Sequence, residues 1–212
     1  EGMVLGIGSG STVHEFISLL GKTTLELQTI ICIPSSFDTE AMLIQQGLKV
    51  GTLNQYPEID LTIDGADRVD KHLNCIKGGG GALLREKIIA AAAKRLVIIV
   101  DESKMVSSLG GSFPIPVEVI PHARVFVTKK LVALGGEPCL RTASDKLGPT
   151  ITDNGNILLD TTFRTIDAPS ELAGVINNIP GAMENGLFPR ELVYQVILAA
   201  ADSNDIKILN KV

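Results

Sequence analysis

The sequence of 212 residues has no tryptophan, only 4% aromatic residues, three cysteines and three histidines. Cys32, Cys75 and Cys139 are widely spaced and form no CxxC pair, so a disulfide framework is not indicated. The histidines show neither HxH nor HExxH spacing, and no metal site is therefore expected. We interpret all three cysteines as buried, apolar thiols.

Positive charge is also scarce, because 19 lysines and arginines stand against 24 acidic residues and leave a net charge of -5. Proteins that bind nucleic acid or anionic lipid need a basic surface, so the expected ligand is a small anion. No apolar run approaches the ~20 residues that cross a bilayer. The hydrophobic content of 45% argues against disorder, and we expect a soluble globular protein. The chain begins at Glu1, which leaves a cytoplasmic location or, if a transit peptide has been removed, an organelle such as the plastid.

The first half alternates short β-branched runs with amphipathic stretches, the pattern of parallel βαβ units. Strands are predicted at 3–6, 27–33, 48–53, 59–63 and 96–100, with helices at 13–20 and 83–94. From Phe113 onward the pattern changes to a helix at 125–134, strands at 149–152 and 157–160 around Asn154-Gly155, a helix at 171–177 and strands at 184–188 and 196–201. We predict an open, mostly parallel Rossmann-like sheet with helices on both faces, formed by residues 1–112 and 192–212. Residues 113–191 are predicted to form a smaller α+β (ferredoxin-like) domain.

Polar residues follow four of the predicted strands, at the sheet edge where parallel sheets bind ligands. The first of these loops contains Gly6, Gly8 and Gly10, but Ser11 stands where a dinucleotide fingerprint has its third glycine, so NAD binding is the less favoured interpretation. The alternatives are an anion at the following helix N-terminus or a tight turn capped by a hydroxyl. Ordinary capping is equally open for Ser35, Ser36 and Thr39.

Asp64 and Asp67 lie three residues apart after an apolar strand, a spacing that suits proton transfer but also an ordinary turn with a helix cap. Four consecutive glycines, Gly78 to Gly81, indicate close approach to a ligand or a mobile lid, since a linker would hardly precede so strong a helix. Glu86, between Arg85 and Lys87, is on local evidence a solvated surface residue.

These segments together resemble the type A ribose-5-phosphate isomerase family, and the resemblance covers essentially the whole chain. It is carried by Gly6-Ile7-Gly8-Ser9-Gly10-Ser11-Thr12, Asp64-Gly65-Ala66-Asp67, Lys77 through Lys87 with its Leu84-Arg85-Glu86-Lys87, and Asp101-Glu102-Ser103-Lys104. The family interconverts ribose 5-phosphate and ribulose 5-phosphate without a metal, through an ene-diol, in the pentose phosphate pathway. The resemblance therefore implies an enzyme with no cofactor, a phosphosugar substrate, and assembly as a homodimer or homotetramer.

The resemblance also implies roles for individual residues. Glu86 falls on the family's general base, Asp64 and Asp67 on its ring-opening and hydroxyl-transfer aspartates, and Lys77 on the lysine that stabilises the ene-diolate. The implied substrate and phosphate contacts are Ser9, Gly10, Ser11, Thr12, Asp64, Gly65, Ala66, Asp67, Lys77, Gly78, Gly79, Gly80 and Lys104.

The sequence departs from the family at two positions near these motifs. Arg68 stands where glutamate is usual, and Asn185 where histidine is common; the family's leading helix is also missing.

Two other functions remain open. A CoA transferase would use a glutamate as nucleophile and form a glutamyl thioester with acetyl-CoA, whereas a sugar-phosphate sensor would bind without exchanging the proton at C2.

Overall fold

A computed structural model of the protein describes residues 2–23, 29–143, 147–200 and 205–210. The chain divides into two compact units. The first contains Glu1–Ala66, Arg85–Lys104 and Glu191–Val212, and the second contains Asp67–Leu84 and Met105–Arg190. The predicted boundaries differ from this division, because they assigned residues 67–84 and 105–112 to the first domain and residue 191 to the second.

The elements are, in chain order, β1 (Val4–Ile7), α1 (Ser11–Leu20), β2 (Ile31–Pro34), α2 (Phe37–Gln45), β3 (Lys49–Val50), β4 (Leu61–Asp64), β5 (Arg68–Asp70), β6 (Cys75–Ile76), α3 (Leu83–Ala92), β7 (Leu96–Asp101), β8 (Met105–Val106), β9 (Ile115–Val119), α4 (Arg124–Ala133), β10 (Gly136–Leu140), β11 (Ile157–Phe163), α5 (Pro169–Asn177), β12 (Ala182–Asn185), β13 (Leu187–Phe188), β14 (Gln195–Ala199) and β15 (Ile206–Asn210). 3₁₀ turns cover Glu102–Lys104 and Pro121–Ala123. None of the described helices has the length and hydrophobicity needed to cross a membrane.

The first unit is built on a seven-stranded sheet with the order β15-β14-β7-β4-β1-β2-β3. The described pairs are parallel except for β15, which runs antiparallel to β14. Its central strands are apolar and largely buried, as expected for a parallel sheet covered by helices. The predicted class, an α/β fold with a mostly parallel sheet, is confirmed.

The second unit contains a four-stranded antiparallel sheet with the order β10-β11-β9-β12. Together with α4 and α5, these strands follow the chain order βαββαβ, which is the predicted ferredoxin-like arrangement. A core of apolar side chains from the sheet and both helices fills this unit, including Val117, Val127 and Ile176. A second four-stranded sheet, made of shorter strands, has the order β13-β6-β5-β8.

Several predicted elements differ in detail. Residues 149–152 form isolated bridges instead of a strand. The predicted strand at 184–188 is divided at Gly186, where a Cβ would lie 2.3 Å from the carbonyl oxygen of Lys77. The strand predicted at 27–33 is observed from Ile31, and residues 27 and 28 lie outside the described residues, as does residue 201 of the strand predicted at 196–201.

The prediction of buried cysteines is correct for two of the three. Cys32 and Cys75 are buried, and burial raises the pKa of the Cys32 thiol to about 11. Cys139 is exposed, because it lies on β10 at the edge of its sheet with its side chain toward solvent.

Candidate active site

In the first unit, the parallel strands β1, β4 and β7 end at the same edge of the sheet, and the segments at these ends contain most of the predicted site residues. The turn after β1 is held to β4 by the amide of Gly8, which donates to the carbonyl oxygen of Ile63 at 2.9 Å. The same turn is held to α2, because the hydroxyl of Thr39 donates to the carbonyl oxygen of Gly8 at 2.8 Å. The loop is thus fixed from two sides.

Asp64 is the last residue of β4 and is fully buried. Its Oδ1 accepts hydrogen bonds from the amides of Gly65 at 2.8 Å and Ser9 at 3.3 Å. A Cβ at Gly8 would lie 1.8 Å from this oxygen, so only glycine lets the turn approach the carboxyl group so closely.

Glu86 lies on α3 and is only 3% exposed. The interpretation of Glu86 as a solvated surface residue, drawn from the local sequence, is therefore wrong. The hydroxyl of Ser9 donates to Oε1 of Glu86 at 2.5 Å. Ser9 therefore contacts both carboxyl groups, through its amide and its hydroxyl, and brings Asp64 and Glu86 to one site in this unit.

The N-terminus of α1 follows directly. Gly10 is its N-cap, with a φ of 95° that favours glycine, and no side chain caps the helix. Ser11 and Thr12 form the first turn, which contains no acidic residue. By contrast, α2 is capped in the ordinary way by Ser36, whose hydroxyl accepts from the amide of Thr39 at 3.0 Å. The capping alternative thus holds for Ser36, whereas α1 presents an uncapped, positive helix end suited to an anion.

Lys104 ends the 3₁₀ turn after β7, and its side chain is partly exposed. The neighbouring Asp101 accepts a hydrogen bond from the amide of Ser103 at 2.8 Å. Hydrogen bonding to Ser103 and, to a lesser extent, the charge of Lys104 hold the pKa of Asp101 below its usual range.

Gly65 and Ala66 are the last two residues of the segment Glu1–Ala66 of the first unit, and both are partly buried.

In the second unit, Lys77 follows β6 and is 2% exposed. Its amide donates to the carbonyl oxygen of Gly186 at 2.9 Å, and its Nζ lies 5.4 Å from the ring centroid of Phe188. Lysine is almost never fully buried unless its ammonium group is engaged, so the fold fixes the position of Lys77 closely.

Asp67 of the same unit binds the glycine-rich loop. Its Oδ2 accepts from the amide of Gly79 at 2.8 Å, and a Cβ at Gly79 would lie 2.6 Å from Oδ1. Gly78 and Gly81 adopt positive φ values of 97° and 85°, and Gly80 is exposed with open space around it. Gly79 is therefore required for the close contact with the carboxylate, and Gly78 and Gly81 for a backbone path with positive φ.

The two departures from the family have structural explanations. The guanidinium of Arg68 lies 4.2 Å from the centroid of the Phe113 ring and donates to the carbonyl oxygen of Asp67 at 2.6 Å. Asn185 is buried, and its Nδ2 donates to the carbonyl oxygen of Ala173 at 3.0 Å and to Oδ1 of Asn177 at 2.7 Å. Both residues are thus engaged in contacts within the second unit.

The predicted site residues accordingly fall into two groups. The first unit holds Ser9, Gly10, Ser11, Thr12, Asp64, Gly65, Ala66, Glu86 and Lys104, and the second holds Asp67, Lys77, Gly78, Gly79 and Gly80. Within the described ranges, no cluster of three or more His, Cys, Asp or Glu side chains could hold a metal ion. Sequence reasoning missed Arg141, which contacts the glycine-rich loop. A single arginine far along the chain gives no local signal of that contact.

Buried carboxyl groups beside an uncapped helix end define a class of site, one that is suited to acid–base chemistry on a small anionic ligand. Comparison with known proteins gives the family. The sequence model of ribose 5-phosphate isomerase A (phosphoriboisomerase A) matches residues 31–203. The chain belongs to this family, and the resemblance seen in the sequence is confirmed.

Individual relatives agree with this assignment. The chain is 49% identical over 190 residues to ribose-5-phosphate isomerase A of Synechococcus sp., covering 89% of this chain and 82% of the relative. It is 45% identical over 208 residues to the Methanococcus aeolicus protein of the same name, covering 97% and 88%.

Solved structures show the same similarity. Ribose 5-phosphate isomerase A from Methanocaldococcus jannaschii superposes with a TM-score of 0.93 at 43% identity, covering 100% of this chain and 92% of that one. A D-ribose-5-phosphate isomerase in complex with phospho-erythronic acid has a TM-score of 0.94 at 38% identity, covering 99% and 91%.

Proposed function

We propose that the protein is an aldose-ketose isomerase that interconverts D-ribose 5-phosphate and D-ribulose 5-phosphate. The observation that carries the proposal is the buried Glu86, hydrogen-bonded to Ser9 in the turn that leads into the uncapped end of α1. A base held next to an anion-binding turn is what proton abstraction from a phosphosugar requires. Family membership supports the same conclusion.

In the proposed mechanism, Glu86 takes the proton from C2 of the open-chain sugar and returns it to C1, through an ene-diolate. The charge that develops on the ene-diolate oxygens is stabilised by the ammonium group of Lys77. Asp64 and Asp67 assist ring opening and transfer of the hydroxyl protons. The chain's own groups supply both the base and the positive charge, so the proposed reaction needs neither metal nor cofactor.

We assign phosphate binding to the backbone and hydroxyl groups of Ser9, Gly10, Ser11 and Thr12, together with Lys104. The free amides at the start of α1 and the helix dipole favour a dianion there. Gly65, Ala66 and the glycines 78–80 present backbone to the substrate, since the absence or small size of their side chains permits close approach. The complex of a similar enzyme with phospho-erythronic acid is consistent with a ligand that carries a phosphate group.

The decisive experiment is the Glu86→Gln variant. Because glutamine cannot accept the C2 proton, we expect kcat for ribose 5-phosphate to fall by at least ~10³-fold. Binding of phospho-erythronic acid, measured by calorimetry, should change by less than about threefold. Glu15→Gln, at an exposed position on α1, is the matched control and should leave both quantities unchanged. Turnover by Glu86→Gln within tenfold of the wild type would contradict the assignment of the base.

Two further measurements separate the isomerase from the other two functions. An isomerase run in D₂O incorporates deuterium at C2 of the sugar, whereas a binding protein does not. A CoA transferase would form a glutamyl thioester on Glu86 with acetyl-CoA.

We further propose a homodimer or homotetramer that acts in the non-oxidative pentose phosphate pathway; light scattering on the purified chain would measure its mass.

A further inference from the structure

Arg141 and Asp160 form a paired group in the second unit. Arg141 directly follows β10, and Asp160 lies on the adjacent strand β11. Nε of Arg141 donates to Oδ2 of Asp160 at 2.8 Å, and Nη2 donates to Oδ1 at 2.5 Å. The two side chains are only 18% and 23% exposed, so this is a two-pronged ion pair shielded from solvent.

The pair leaves the third arm of the guanidinium for another contact. Nη1 of Arg141 donates to the carbonyl oxygens of Gly78 at 3.0 Å and Gly79 at 2.9 Å. The amide of Gly79 belongs to the same peptide group as the Gly78 carbonyl, and it donates to Oδ2 of Asp67 at 2.8 Å. One peptide group is therefore held at its oxygen by Arg141 and at its nitrogen by Asp67.

We propose that Arg141, oriented by Asp160, is a positioning residue for catalysis, because it fixes the backbone between Lys77 and Gly80. Consecutive glycines have wide conformational freedom and no side chains with which to anchor the loop. The guanidinium supplies the anchor, and it sets the direction of the Gly79 amide toward Asp67 and the position of the chain just after Lys77. This inference rests on the proposed isomerase function, since Asp67 and Lys77 are the groups it positions.

Stability alone accounts less well for the arrangement. A shielded ion pair contributes little net stability, because desolvation offsets much of the attraction between the charges. Stability also does not require that Nη1 of Arg141 bind the carbonyl oxygens of both Gly78 and Gly79. Lysine would keep the charge but lose the fork, so it could not bind Asp160 twice and still reach both carbonyl oxygens.

The expected effect is on kcat. Misplacing a catalytic group by about 1 Å can cost ~10²-fold in rate. We therefore expect Arg141→Gln to lower kcat for ribose 5-phosphate by about 10- to 100-fold while KM changes by less than about threefold. Arg141→Lys should recover part of this loss, and Asp160→Asn, which leaves the guanidinium in place but without its orienting partner, should give a smaller loss. The pH dependence of kcat should change in Arg141→Gln but not in Arg164→Gln, the control variant.

Arg164→Gln is the matched control, because Arg164 is an exposed arginine of the same unit. It should leave kcat, KM and the pH profile unchanged. Millimolar guanidinium ion, added to Arg141→Ala, should raise kcat toward the wild-type value by replacing the missing group, and it should have no such effect on the wild type.

A second measurement does not depend on activity. Amide hydrogen exchange at Gly79, followed by NMR, should be at least tenfold faster in Arg141→Gln than in the wild type and in Arg164→Gln. If the wild type does not turn over ribose 5-phosphate, the proposed function fails, and with it the catalytic part of this inference. If the wild type is active but Arg141→Gln retains wild-type kcat and wild-type protection of Gly79, the positioning role is overturned while the proposed function stands.

Discussion

At the scale of single residues, Gly8 is the clearest case in which the absence of a side chain determines the site. A Cβ there would lie 1.8 Å from Oδ1 and 2.0 Å from Cγ of Asp64. Asp64 is fully buried and is held by the amides of Ser9 and Gly65, so it cannot move away without losing those hydrogen bonds. The turn and the carboxyl group therefore depend on each other.

Gly8→Ala should accordingly destabilise the protein by about 2 kcal/mol, the usual range for overpacking, and lower kcat by about 100-fold. Gly174→Ala is the control, because Gly174 lies in α5 with open space around it. That change should stabilise the protein by up to ~1 kcal/mol through helix propensity and leave kcat unchanged. Urea unfolding and steady-state kinetics measure both effects; a fully active, fully stable Gly8→Ala would show that the contact is not required.

The same scale shows what local sequence could and could not predict. The resemblance assigns Glu86 and Lys77 by motif, but nothing around Glu86 in the chain predicts burial, since charged neighbours flank it. Its burial comes from the fold, which places α3 beside the turn that contains Ser9. The contact of Arg141 with Gly78 depends on pairing between distant segments, so no local pattern could have predicted it.

At the scale of elements, the turn around Asn154-Gly155 is organised by a buried carboxyl group. Glu118 on β9 is fully buried, and its Oε1 accepts from Oγ1 of Thr152 at 2.9 Å, Nδ2 of Asn154 at 3.0 Å and Nδ2 of Asn156 at 2.9 Å. The Asn-Gly signal correctly predicted a turn, with Gly155 at a φ of 78°. The signal could not predict that side chains in and beside the turn bind Glu118. Nor could it predict that isolated bridges replace the expected strand at 149–152.

Glu118→Ala should destabilise the protein by about 3 kcal/mol, because it leaves three donors without their common acceptor. Turnover per folded molecule should be unchanged, since this carboxyl group serves the turn. Glu137→Ala, at an exposed position on β10, is the control and should alter stability by less than ~0.5 kcal/mol. Denaturant unfolding followed by far-UV circular dichroism gives the comparison. A loss of kcat as large as that of Glu86→Gln would contradict the structural role.

At the scale of the whole molecule, the net charge of -5 means that positive potential for a phosphate must be local. The proposed sources are Lys77, Lys104 and the start of α1, with no metal ion. Treatment with EDTA followed by gel filtration should therefore leave kcat and KM unchanged. Zinc or magnesium restoring an activity lost on that treatment would overturn the metal-free mechanism.

The α/β fold class and the change of pattern from Phe113 onward were predictable, because the periodicity of strands and helices can be recognised in short segments of sequence. The assignment of residues 67–84 was not, since β5 and β6 are short strands whose partners β8 and β13 come from later in the chain. Such pairing is set by packing between distant segments. Local propensity says little about it.

The position of β14 in the parallel sheet has a consequence for how the protein is made. It pairs with β7 along its length, from Gln195 opposite Val97 to Ala199 opposite Asp101, yet Met105–Arg190 lies between them in the chain. A ribosome must therefore synthesise the chain as far as Ala199 before the buried strand β7 can pair with β14 along its length. Until then, the apolar edge of β7 is open to pairing with other nascent chains, so synthesis itself exposes this protein to a period of aggregation risk.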